Sequence, residues 1–258
     1  MIIKHLISLA GILHIFAITT QAQYVSPHQR NSIIKTRSIV VKKGEQLSFH
    51  QAKIYCDTLI MEDESAITCI RSLKSLSLYA KYCKIGKNCL ITTRGTDGKS
   101  NAQVIKGIWA TNAIPLRLYF NIYALGNLII DARGGNGGDG FIPGIYGAGA
   151  NIKLTYYAPD KIRFAKKIRQ NPKKRSITIL NKKGKMKLTQ LHEVRHQYNR
   201  PVTYDTQTKN ANLVAQKLNI NRLITQIERV RKTRKNGQLI LKTMKKPIAS
   251  SILLQDYQ

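Results

Sequence analysis

The chain predicts a mainly β protein: a short parallel β-helix, then a small basic α/β region with a hairpin and one amphipathic helix. Three observations carry that expectation. They are short apolar alternations between residues 38 and 158, a weak internal repeat, and a rise in positive charge after Pro159. The alternations include Ile39-Val40-Val41, Leu47-Ser48-Phe49, Leu59-Ile60-Met61, Leu76-Ser77-Leu78, Leu90-Ile91 and Leu128-Ile129-Ile130. Each is short, rich in branched residues and bounded by Lys, Asn, Asp or Gly, which is the punctuation of strands and lacks helical spacing.

The repeat sets the architecture. Leu76-Ser77-Leu78-Tyr79 returns forty residues later as Leu116-Arg117-Leu118-Tyr119. Cys89-Leu90-Ile91 with the following Arg94-Gly95-Thr96-Asp97-Gly98 returns as Asn127-Leu128-Ile129 with Arg133-Gly134-Gly135-Asn136-Gly137. A period near forty suits two stacked rungs of about 20 residues each, burying an apolar strip that no single rung could bury alone. A β-sandwich with similar strand lengths is the competing arrangement.

Glycines crowd residues 134–149, a composition suited to positive φ or to close approach of neighbouring backbones. The run from Asp131 to Phe141, opening through Gly144, Gly147 and Gly149 onto Asn151-Ile152-Lys153-Leu154, resembles the glycine-rich segments of bacterial exported parallel β-helix proteins. The resemblance covers about a third of the chain and implies a fold, with glycines turning the corners between rungs; it implies no activity. One stretch, Gly134 to Ile142, also fits a single copy of a calcium-binding nonapeptide, but calcium β-rolls hold each ion between tandem copies. Asp131 and Arg133 invite comparison with polysaccharide lyases, yet no second acidic cluster accompanies them.

The N-terminal residues 1–22 read as a secretory signal: Lys4 and His5, an apolar Leu6 to Ala17, and Thr20-Gln21-Ala22 before the expected cut. The apolar stretch is shorter than the roughly twenty residues a spanning helix needs, so no transmembrane segment is expected after cleavage. Residues 23–37 read as a flexible lead, 38–158 as the β-solenoid and 159–258 as the basic region. The expected location is outside the cytoplasm: periplasm, cell surface or medium. Cys56, Cys69, Cys83 and Cys89, clustered in a chain of this kind, suggest one or two disulfides, with a row of buried thiols as the alternative.

Charge is concentrated at the C-terminal end. Residues 161–258 carry 25 lysines and arginines against four acids, whereas residues 1–160 carry 18 against nine. Within this region Ser176 to Leu180 and Lys185 to Leu188 flank Asn181-Lys182-Lys183-Gly184 as a β-hairpin would. Residues 208–235 show helical spacing, with Leu213, Ile220, Ile224, Ile227 and Val230 near one face. The cationic candidates are Lys173, Lys174, Arg175, Lys182, Lys183, Lys185, Arg229, Arg231, Lys232, Arg234 and Lys235, with a further run at Lys166-Lys167-Ile168-Arg169. A net charge of +30 opposes compaction, so a polyanionic partner is the simplest reason for it. Lipopolysaccharide, acidic glycan and extracellular nucleic acid all qualify, without dedicated single-strand stacking, because aromatics are few here.

His192-Glu193-Val194-Arg195-His196 matches the HExxH pattern and so resembles zinc metallopeptidases. On a helix both imidazoles share a face that binds Zn, and Glu193 would take a proton from the bound water. No His follows His196, and a third ligand of the gluzincin type would require a downstream Glu, for which only Glu228 qualifies. Charged Arg195 and the nearby Pro201 depart from the pattern. The sequence therefore favours a non-catalytic polyanion binder, with a zinc peptidase as the enzyme alternative. The third alternative is a structural or adhesive component docked on an envelope protein.

Overall fold

The computed structural model describes residues 33–99, 107–168, 174–199 and 210–249. The expected signal sequence and Lys173 lie outside them. The strands are β1 (Ile33–Val41), β2 (Gln46–Phe49), β3 (Lys53–Met61), β4 (Ala66–Cys69), β5 (Leu76–Ile85), β6 (Cys89–Thr92), β7 (Leu116–Leu125), β8 (Asn127–Asp131), β9 (Ile152–Tyr157), β10 (Arg163–Ala165), β11 (Ser176–Leu180) and β12 (Leu239–Thr243). Two helices, α1 (Leu188–Asn199) and α2 (Asn210–Thr233), fall between β11 and β12. The chain is mainly β, with two parallel sheets ordered β1-β3-β5-β7-β9-β12 and β2-β4-β6-β8-β11-β10.

Successive strands alternate between the sheets up to β10, and side-chain alternation turns one face of each sheet onto a shared core. Identical chemistry stacks in register. Ile54, Leu78, Leu118 and Leu154 form a column across four neighbouring strands. Each is essentially inaccessible to solvent, and each such side chain contributes about 1.5–3 kcal/mol on burial. The opposing sheet supplies Ile67, Ile91, Leu128, Ile130, Ile177 and Ile179 to the same cluster.

The repeat is present in register, since Leu76, Leu78 and Tyr79 pair with Leu116, Leu118 and Tyr119. Its meaning differs from the expectation. Ile33 pairs with Lys53, Lys53 with Ser77, Leu76 with Leu116, Leu116 with Ile152 and Ile152 with Leu239, steps of 20, 24, 40, 36 and 87 residues. Forty residues is thus one strand-to-strand step enlarged by an excursion. Three excursions, residues 93–115, 132–151 and 181–238, leave the same end of the sheets, and their described parts pack on one another.

Their packing explains the glycines. Gly107, Ala110 and Ala113 donate to Ile142, Ile145 and Ala148, and Gly144, Gly147 and Ala150 donate to Gly138, Gly135 and Ala132. A hydrogen bond every third residue is the period of a polyproline II helix, whereas a strand has period two. Neighbouring extended chains lie so close that a Cβ on Gly147 would sit 1.8 Å from the Thr111 carbonyl oxygen. Close approach is the reason for glycine here; among the described residues, the one glycine with a left-handed backbone is Gly44, in the β1–β2 turn. One side of this bundle carries Ile142 and Ile145, which join Leu191 and Val194 of α1 and Ile224 and Ile227 of α2 in a second core.

Four further expectations are corrected. The segment Asn181 to Gly184 makes no hairpin: β11 pairs in parallel with β8 and β10, and residues 181–187 continue as an extended chain of the glycine bundle. A five-residue strand buried along its whole length finds more partners inside a sheet than in a surface hairpin. The basic region is built into the sheets, because β10 and β11 extend one and β12 the other. Residues 33–37, expected to be flexible, open β1 with Ile33 paired to Lys53.

The four cysteines are free, buried thiols with no disulfide between them. Cys56 and Cys83 lie in the first sheet, and Cys69 and Cys89 in the second. Burial pushes Cys56 up to about 12 and Cys69 up to about 11, which keeps both protonated and poorly nucleophilic at neutral pH.

After β12 the chain crosses the outer face of the first sheet. Asn121, buried, donates to the Ile248 carbonyl at 3.2 Å and accepts from its amide at 2.8 Å, while the Tyr79 hydroxyl donates to the same carbonyl at 3.1 Å. Ile248 itself packs on Tyr79 and Tyr119.

Candidate polyanion-binding cleft

The three-residue rise of the bundle and the parallel sheets together arrange the basic side chains. Asn181 to Lys187 and Arg234 to Gln238 run side by side: the Gly237 amide donates to the Asn181 carbonyl at 2.8 Å, and the Asn181 side chain returns a bond to the Gly237 carbonyl at 2.7 Å. The Lys183 amide donates to the Asn236 side chain at 2.9 Å, which completes the clamp. Lys182, Lys183, Lys185, Arg234 and Lys235, though far apart in sequence, are therefore carried on two neighbouring extended chains.

Beside that clamp opens a cleft of about 600 Å³. Its charged lining is Arg133, Lys166, Lys167 and Lys182, with Ile168, Ile179, Leu180 and Leu239 as apolar surface. Among the described residues, no aspartate or glutamate lines it. Arg133 is fixed from behind: its Nε and Nη2 donate to the two carboxylate oxygens of buried Asp131 at 2.9 and 2.7 Å. That fork sets the orientation of the guanidinium at the cleft and compensates part of its charge. The three lysines add mobile point charges, each exposed to solvent. Asp131-x-Arg133 is the sequence trace of this fork.

The remaining predicted cations are distributed elsewhere. Lys174 and Arg175 precede β11, whereas Lys182 follows it, and five residues of strand separate the two groups by roughly 17 Å. Arg175 pairs with Asp160 at 3.2 Å and lines a different groove that also contains Glu62 and Asp63. Arg229 and Lys232 are exposed on α2, and Arg231 is half-buried there. Lys187 pairs with Asp139 at 3.0 Å, so the acid of the calcium-like stretch is already engaged.

The HExxH residues lie on α1, whose inward face is Leu191 and Val194. His192, Glu193 and His196 are exposed. Glu228, the candidate third ligand, accepts from Arg195 Nη1 at 2.9 Å, so the residue that departs from the zincin pattern holds the carboxylate the pattern would need. Among the described residues, no group of three His, Cys, Asp or Glu side chains is placed to hold a metal ion. None of the described helices is long and apolar enough to cross a membrane.

Comparison of the chain with protein-family models, curated proteins and solved structures finds no match.

Proposed function

We propose that this is an exported, non-catalytic protein that binds polyanionic envelope or matrix material: lipopolysaccharide, acidic glycan or extracellular nucleic acid. In this reading the two parallel sheets are faces of a short β-helix, and the excursions at one end form the binding module. The observation that carries it is the cleft lined by Arg133, Lys166, Lys167 and Lys182, with no carboxylate among its described lining residues. Arg133 is already paired with Asp131, so the repulsion that an anion would relieve falls mainly among Lys166, Lys167 and Lys182, over a screening length of about 10 Å. Export rests on residues 1–22, and the anionic partner on the cleft and the charge behind it.

The test is the salt dependence of binding to heparin and to duplex DNA. The affinity is expected to fall linearly on a log–log plot, with a slope near −0.9 per DNA phosphate contacted, so roughly −3 to −4 for an anion chain filling the cleft. Binding that is absent at low salt, or indifferent to added salt, contradicts the proposal.

A further inference from the structure

We propose that the outer face of the first sheet carries a second binding site, for one pyranose ring of an uncharged glycan, at the open end of a tyrosine stack. This goes beyond the polyanion reading and does not rest on it. The rings of Tyr82 and Tyr123, on neighbouring strands β5 and β7, stack with centroids 4.9 Å apart and planes 16° from parallel. That separation is one strand step, so the stack runs across the strands. On β3 the position beside Tyr82 is Thr58, and on β1 the next is Ser38. The stack therefore stops at Tyr82, which is 41% exposed and looks over two short hydroxyl side chains. A ring laid on its free face would sit above β3, about 4.8 Å on, where a further tyrosine would otherwise stand.

The surroundings select the kind of ring. Exposed Val40 and half-buried Ile60, paired on β1 and β3, make an apolar rail on one side of that place. On the other side Arg37, Asp57 and Lys81 hold adjacent positions on β1, β3 and β5, all exposed, so donors and a carboxylate acceptor alternate. A sugar hydroxyl both donates and accepts, and the C–H face of a pyranose is drawn to the negative face of an aromatic ring. An aliphatic cover would satisfy Tyr82 but give Asp57, Thr58 and Ser38 nothing to bond. The nearby Tyr79 and Tyr119 have such a cover in Ile248, held by Asn121 and the Tyr79 hydroxyl. Among the described residues nothing comparable lies on Tyr82.

Saturation-transfer NMR on the full chain tests this, with the methyl α- and β-pyranosides of glucose, galactose and mannose as probes. At least one glycoside is expected to receive saturation, more strongly on the ring protons of one face than of the other. Tyr82→Leu keeps apolar bulk but removes the aromatic face, and should weaken that glycoside roughly fivefold. Tyr82→Phe should stay within about twofold of the parent. Lys166→Gln with Lys167→Gln should weaken heparin and leave the glycoside unchanged, so the two sites fail separately. Circular dichroism confirms that each variant is folded. Absence of transfer to all six glycosides overturns the proposal and leaves the polyanion reading standing. Transfer that survives Tyr82→Leu places the sugar elsewhere and also overturns it. So does tighter binding of p-cresol than of every glycoside, because the stack would then be built for an aromatic side chain of a protein.

Discussion

Replacing Gly147 by alanine is expected to cost about 3 kcal/mol or more, at the upper end of what overpacking produces. The added Cβ would lie 1.8 Å from the Thr111 carbonyl oxygen and 2.6 Å from its carbon, and both are backbone atoms with no rotamer to change. Nor can Thr111 withdraw freely. Its amide donates to the Thr96 carbonyl at 3.1 Å, and its carbonyl accepts from Gly135 at 3.2 Å. Gly147 donates to Gly135 at 2.8 Å and accepts from Gly184 at 3.0 Å, so moving one chain disturbs its neighbours. A melting temperature lowered by roughly 6–12 °C is the expected readout. Gly44→Ala is the control: nothing lies within 4 Å of its Cβ, and only the left-handed backbone at φ +70° resists. That variant should lose about 1 kcal/mol. Equal stability of G147A and the parent protein would contradict the close-packed bundle.

Ile227→Ala is the second large effect, expected to cost about 2–5 kcal/mol by leaving a cavity at a fully buried site. Its neighbours are Ile142 and Ile145 of the bundle and Leu191 and Val194 of α1, which together make a core separate from the one between the sheets. The loss should therefore be local. Hydrogen exchange is expected to accelerate in α1, α2 and the extended chain that follows α2, while amides of β3, β5 and β7 keep their protection. Because that chain forms one wall of the cleft, heparin affinity should weaken as well. Uniform acceleration across both sheets would mean that the two cores are one cooperative unit.

The sheets were legible in the sequence where identical side chains stack. Leu76, Leu78 and Tyr79 recur as Leu116, Leu118 and Tyr119 because parallel neighbours in register meet the same environment on each strand. What separated the two copies was not legible. A reading tuned to periods of two and 3.6 sees glycine-rich residues 132–150 as corners, whereas their hydrogen bonds recur every three residues. Ser176 to Leu180 followed by Asn181-Lys182-Lys183-Gly184 has the local form of a hairpin. Its actual partner, β8, is some fifty residues earlier in sequence, beyond the reach of turn chemistry. The helical spacing around Ile224 and Ile227 was sound, and both are buried. In the HExxH segment the pattern was real but faces outward, with Arg195 holding Glu228. Charge was read correctly as an excess; its convergence depended on which cations the ends of β8, β10 and β11 bring together.

In the proposed function a particular cleft, rather than net charge alone, recognises the anion. Two variants with the same change in net charge decide it: K166E/K167E in the cleft, and K35E/R37E on β1 at the far edge of the first sheet, where both residues are exposed. Heparin affinity measured across a salt series should fall about tenfold or more for the cleft variant, with a shallower salt slope, and stay within about twofold of the parent for the β1 variant. Equal losses from the two variants would contradict the account, because the protein would then bind through its overall charge.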